Sequence, residues 1–115
     1  MSVTIYHNPR CGTCRRTLEL LRRRGVEPSV IEYLKTPPSA PELKRLLGLL
    51  GMSARALMRT KEKEYKEGGL DDPSLDDDAL IAAMVAHPIL IERPIVLAGG
   101  KAALGRPPEN VLKIL

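Results

Sequence analysis

Between Val3 and Tyr33 the chain reads strand, helix, strand with few residues to spare, and that order constrains its fold more than any other feature. Val3 to Tyr6 is a short apolar run rich in β-branched residues and closed by His7-Asn8-Pro9, so it predicts a buried strand followed by a loop. From Gly12 to about Arg24 the period becomes helical. Cys14, Leu18 and Leu21 fall on one stripe, while Arg15, Arg16, Glu19, Arg22 and Arg23 lie largely off it. Gly25 stops the helix, and Ser29 to Tyr33 predicts a second strand. Such a unit closes most easily with a right-handed crossover and parallel strands.

The rest of the chain is helical and then returns to strands. Thr36-Pro37-Pro38 breaks it, and Ser39-Ala40-Pro41-Glu42 has capping-box spacing ahead of the stripe Leu43, Leu46, Leu47 and Leu50. Ser53 can cap a short helix through Leu57 and Met58, and Lys61 to Glu67 reads as an exposed polar helix. Asp76 to Asp78 sit where a helix running to about Ala86 should begin, so their carboxylates are read as complements to its dipole and not as metal ligands. Ile95–Ala98 and Ala102–Leu104 flank Gly99-Gly100, a hairpin signal, and Pro107 is placed in the first turn of a last helix through Val111, Leu112 and Leu115. The expectation is an α/β fold with a thioredoxin/glutaredoxin-like mixed sheet (β-α-β … β-β-α): one domain over residues 1–115 with a helical insert at about 39–88.

Composition limits the function classes. With 43% hydrophobic and 28% charged residues the chain reads as an ordinary globular protein, with no signal peptide and no apolar run long enough for a bilayer, and a cytoplasmic location is expected. There a cysteine pair more often does redox or metal chemistry than structural stapling. His7 and His87 lack finger spacing, so no metal site is expected. The formal charge of +4 favours anionic ligands but is too small to argue for direct nucleic-acid binding.

The chemistry centres on Cys11, which lies where the first helix begins. There the helix dipole and the unpaired N–H groups of Gly12, Thr13 and Cys14 favour a thiolate, and the same groups can hold an oxyanion. Gly12 leaves room for a close backbone approach. Cys11-Gly12-Thr13-Cys14 also fits C-x-x-C beside a β-α-β unit. Cys14 has two open readings, a core residue continuing the Leu18/Leu21 stripe or a resolving thiol for Cys11. A phosphatase loop of the C-x5-R type is excluded, because Thr17 stands six residues after Cys11.

Tyr6-His7-Asn8-Pro9-Arg10-Cys11-Gly12-Thr13 resembles the glutaredoxin-dependent arsenate reductase family. The likeness continues through Tyr33-Leu34-Lys35-Thr36-Pro37-Pro38, Ala54-Arg55-Ala56-Leu57-Met58-Arg59, the block from His87 to Val96, and Gly105-Arg106-Pro107. The resemblance implies a Cys11 thiol-arsenate adduct, glutathione as co-substrate with no bound cofactor, and glutaredoxin as the partner that completes the cycle. It also implies that Arg59, Arg93 and Arg106 bind the oxyanion with Gly12 and Thr13, and that His7 lowers the Cys11 pKa. Pro94, before the hairpin strand, is expected to be cis and to face the active cysteine, as in thioredoxin-like folds.

Two departures keep rivals open. Cys14 replaces the serine usual in the best-known reductases of this type, and those reductases also carry a longer C-terminal segment. The rivals are an Spx-like redox regulator that binds RNA polymerase and a general glutaredoxin-like thiol oxidoreductase, for which three placed arginines would be superfluous.

Overall fold

The computed structural model describes residues 2–115. The chain divides into two compact units, one comprising the residues up to Thr36 together with Arg93–Leu115, the other Pro37–Glu92.

The first unit holds the sheet. Its elements are β1 (Val3–His7), α1 (Gly12–Arg23), β2 (Ser29–Glu32), β3 (Ile95–Ala98), β4 (Lys101–Leu104) and a C-terminal 3-10 helix, Pro108–Ile114. The strand order is β2-β1-β3-β4. β1 runs parallel to β2 and antiparallel to β3, and β3 pairs antiparallel with β4. This is the mixed sheet expected from the β-α-β … β-β-α order. Val3 and Ile5 lie opposite Ala98 and Val96, and these four side chains form a buried cluster with Leu21 of α1 and Val111. The period-2 alternation of the strands and the helical stripe of α1 therefore meet on one face of the sheet.

The last helix differs from the expectation. Pro107 is not in its first turn: its backbone is extended at ψ 166°, its peptide bond with Arg106 is cis, and the helix starts one residue later in the 3-10 form. The cause is Pro108, whose ring pushes the residue before it out of the helical region. Pro108 takes the first-turn place instead.

The second unit carries α2 (Ala40–Leu50), α3 (Ala54–Leu57), α4 (Lys63–Glu67), α5 (Asp77–Ala86) and a 3-10 turn, Pro88–Leu90. Its caps are the ones legible in the sequence. The oxygens of Ser39, Ser53 and Asp76 accept from the N–H groups of Glu42, Ala56 and Ala79, and each such cap contributes about 1 kcal/mol. Gly51 closes α2 at φ 67°. The charged stretch around α4 is not wholly exposed: Tyr65 is buried, and its hydroxyl accepts from Arg55, which also donates to the carbonyls of Leu70 and Asp72. The segment 57–59 pairs with 90–92 through Arg59 N–H to Leu90 O and Glu92 N–H to Leu57 O, which sets Arg59 beside Glu92.

Candidate active site

The pairing of three strands assembles the site. β1 runs out at His7 opposite the start of β3, since Tyr6 faces Ile95, and β4 ends there because Leu104 also faces Ile95. Three loops therefore leave the same end of the sheet: Asn8 to Cys11, Arg93-Pro94, and Gly105-Arg106.

The first loop is a tight turn. The Cys11 N–H donates to the Asn8 carbonyl at 3.0 Å, and the Arg10 N–H donates to Asn8 Oδ1 at 3.0 Å. Asn8 is itself buried, so its side chain sets the turn as well as closing the strand. The only local sign of this role in the sequence is the turn-forming Asn-Pro pair. Cys11 then occupies the N-cap position of α1 with extended backbone.

The peptide bond of Arg93-Pro94 is cis. The Gly105 N–H donates to the Pro94 carbonyl at 2.9 Å and ties the second and third loops together. A Cβ on Gly105 would lie 2.8 Å from Pro94 Cγ and 2.8 Å from Thr17 Oγ1, and Thr17 is fully buried. Gly105 is therefore required for close approach. Gly105→Ala is expected to lower stability by about 1–3 kcal/mol in urea unfolding, because neither neighbour has room to retreat. Gly48, exposed in the last turn of α2 with open space where a Cβ would stand, is the contrast: Gly48→Ala should raise stability by up to about 1 kcal/mol.

The third loop delivers a guanidinium to the sulfur. Arg106 Nη2 lies 3.6 Å from Cys11 Sγ, while its Nε donates to the Arg93 carbonyl at 2.7 Å and fixes the side chain. The Arg106 carbonyl accepts from Asn110 Nδ2 at 2.9 Å. Arg93 hydrogen-bonds the Cys11 sulfur as well. Burial opposes the Arg93 charge, yet the Cys11 hydrogen bond and nearby negative charge outweigh it and raise its pKa.

Cys11 is nearly buried, at 8% exposure, and burial alone would push its thiol up. The Cys14 backbone N–H, the hydrogen bonds from Arg93 and the Cys14 thiol, and the Arg93 charge overcome that and bring it down to about 7. Cys14 moves the other way. It is fully buried, and burial together with the hydrogen bond and charge of Cys11 pushes it up to about 12. Near neutrality the pair is thus one partly ionised sulfur and one thiol that donates to it. Both cysteines are free of disulfides.

His7 is buried, and burial lowers its pKa, helped by the charges of Arg22 and Arg15 and opposed by Glu32. Its Nδ1 has no hydrogen-bond partner. His7 is not among the groups that lower the Cys11 thiol; the charge that does so is that of Arg93. Gly12 and Thr13 form the first turn of α1, with the Thr13 carbonyl accepting from the Thr17 hydroxyl at 2.8 Å. Arg59 lies in the helical unit, where its guanidinium holds Glu92 at 2.6 Å and Glu62 at 3.3 Å. The structure therefore brings Arg93, Arg106 and Cys14 to Cys11, and describes Arg59 by its two carboxylate partners. The Glu92 pairing depends on the bridge between Met58 and Ile91, which no local pattern encodes, whereas Glu62 stands only three residues after Arg59.

Among the described residues no group of three or more His, Cys, Asp or Glu side chains could hold a metal ion. Nor is any helix among them long and apolar enough to cross a membrane.

Known proteins resemble this chain. The model of the ArsC family matches residues 6–114. The uncharacterized protein YfgD of Escherichia coli (strain K12) is 60% identical, over 98% of this chain and 96% of its own length. An arsenate reductase of Neisseria meningitidis serogroup B is 54% identical, over 98% of this chain and 97% of its own. The solved structure of an arsenate reductase from Vibrio cholerae superposes with a TM-score of 0.97 at 59% identity, covering 100% of this chain and 98% of that one.

Proposed function

The chain belongs to the ArsC family, and from that premise we propose that it reduces arsenate to arsenite with Cys11 as the attacking thiolate. The observation that carries the proposal is the Cys11 sulfur at the start of α1, with the Arg106 guanidinium 3.6 Å away and that of Arg93 hydrogen-bonded to it. Arsenate is a tetrahedral oxyanion with mostly two negative charges near neutrality, and a thiolate must approach it against that charge. Planar guanidinium groups offset the repulsion through paired charge-assisted hydrogen bonds, and they stay in place as charge shifts during attack. Arg59 is the third oxyanion arginine in this proposal; Glu62 and Glu92 hold its guanidinium until an anion competes for it.

The Cys11 sulfur forms a bond to arsenic, and one arsenate oxygen leaves as water after protonation. Reduction to arsenite takes two electrons, supplied by two thiol groups whose sulfurs end in one disulfide. Glutathione is the proposed donor, glutaredoxin the proposed partner that clears the mixed disulfide, and the cytoplasm the compartment that keeps these thiols reduced. No bound cofactor is needed for this electron balance. A fully buried thiol pushed up to about 12 is a weak nucleophile, which argues that Cys14 serves as a donor to the Cys11 thiolate and leaves the role of second thiol to glutathione.

The test is turnover. Purified protein given arsenate, glutathione and a glutaredoxin, coupled to NADPH through glutathione reductase, should form arsenite, identified by chromatography and arsenic detection. No arsenite with any of several glutaredoxins overturns the proposal.

A further inference from the structure

The arginines of α1 fall into two groups. Arg22 pairs with Glu27 at 3.1 Å and Arg23 with Glu19 at 2.6 Å, so the C-terminal half of the helix is largely neutralised. Arg15 and Arg16, both exposed, have no acidic partner among the described residues. They are nevertheless anchored. Arg15 Nη1 donates to the Pro9 carbonyl at 2.9 Å, and Arg16 Nη2 donates to Thr13 Oγ1 at 3.3 Å. These tethers turn both guanidiniums toward the residue after Cys11. A Cβ built on Gly12 would lie 3.5 Å from Arg16 Nη1 and 3.7 Å from Arg15 Nη2.

Two like charges converging on one point repel each other, and each has kept hydrogen-bond donors beyond its single tether. An anion between them relieves the repulsion. Gly12, without a side chain, leaves that place open. An open groove of about 230 Å³ begins at Arg16 and passes Arg23, Pro108 and Glu109, so it offers both signs of charge to a peptide-sized molecule. Arg93 and Arg106 already bracket the sulfur, and this second pair stands apart from them on the outward side of α1.

We propose that Arg15 and Arg16, closed over Gly12, form an anion subsite beside Cys11 that takes a carboxylate of the thiol peptide serving as reductant. The proposal rests on the thiol-donor step given above. In it the donor's carboxylate sits between the two guanidiniums and its remaining chain follows the groove. The donor is thereby held next to the sulfur it must engage, which raises the local concentration of the reacting thiol.

Glutathione disulfide tests this without arsenate. The Cys11 thiolate attacks one sulfur of that disulfide, forms a Cys11–glutathione bond and expels glutathione as thiolate, so loss of the Cys11 thiol can be followed by mass spectrometry. The probe is compared with its tetraethyl ester, in which all four carboxylates are blocked. The protein should react about ten-fold faster with the acid than with the ester, and Arg15→Gln/Arg16→Gln should bring the two rates to within about twofold. The ratio cancels any change in Cys11 ionisation. Arg24→Gln/Arg45→Gln removes the same charge from exposed positions elsewhere and should keep the preference of the parent protein. A preference that survives in the first double variant, or falls equally in the second, overturns the subsite. Absence of arsenate turnover in a protein that shows the preference would instead overturn the proposed reaction and leave the subsite standing.

Discussion

Replacing Cys11 by serine is expected to reduce arsenate turnover to below about one thousandth of the parent rate. The reason is the ionisation that the site is built to support. The Cys11 thiol is brought down to about 7, so about half of it is thiolate near neutrality. A serine hydroxyl does not ionise there, and its oxygen cannot form the arsenic–sulfur bond on which the proposed reduction depends. Cys11 contributes little to the core cluster of the sheet unit, so the circular dichroism spectrum and urea midpoint of Cys11→Ser should stay close to those of the parent. Steady-state arsenite production, with those two controls, separates lost chemistry from lost folding. Residual turnover within about ten-fold of the parent would show that another group is the nucleophile.

The second large effect is expected at Arg93. Its guanidinium hydrogen-bonds the Cys11 sulfur and adds a favourable charge, and both favour the thiolate. Arg93→Ala removes them, so the Cys11 pKa must rise, by about one unit or more. At pH 7 the thiolate share then falls from about half to about one tenth or less. Iodoacetamide alkylation measured against pH should show a midpoint of about 7 in the parent and a higher one in the variant. Loss of the proposed oxyanion contact adds to this, and kcat/KM for arsenate should fall by about 10²–10³. Arg93→Lys should restore much of the midpoint, because the charge returns, but little of the arsenate affinity, because the planar pair of donors does not.

Linkage to stability has the same origin. The folded-state pKa of Cys11 lies below its ordinary value of 9.0, so its ionisation adds stability that is fully present above pH 9.0 and is lost as the pH falls through about 7. Arg93→Ala should flatten that part of the pH–stability curve.

Several elements were legible because their causes are local. The caps at Ser39, Ser53 and Asp76 follow from side chains that reach only three residues ahead. The strand beginning at Val3 and the helix over Gly12–Arg23 follow from periodicity within a dozen residues. Pro107 was misplaced although its cause was equally local, since Pro108 alone excludes it from the helix. Arg93 and Arg106 were marked as ligands by resemblance. Nothing in their neighbours' chemistry distinguishes them from Arg15 or Arg16, and only pairing across the sheet shows which guanidiniums reach the sulfur.

For Cys11, then, the sequence alone determined the position: a cysteine at the end of a strand and the start of a helix, where dipole and backbone N–H groups favour an anion. Local hydrophobic period and turn chemistry suffice for that. The tertiary structure decided the rest. It set Arg106, 95 residues away, 3.6 Å from the sulfur, and lowered the pKa of His7 by burying it. It also buried the Cys14 thiol completely, beside the Cys11 sulfur. Each of these depends on β1, β3 and β4 ending at the same edge, a result of antiparallel pairing between distant segments that no local pattern encodes.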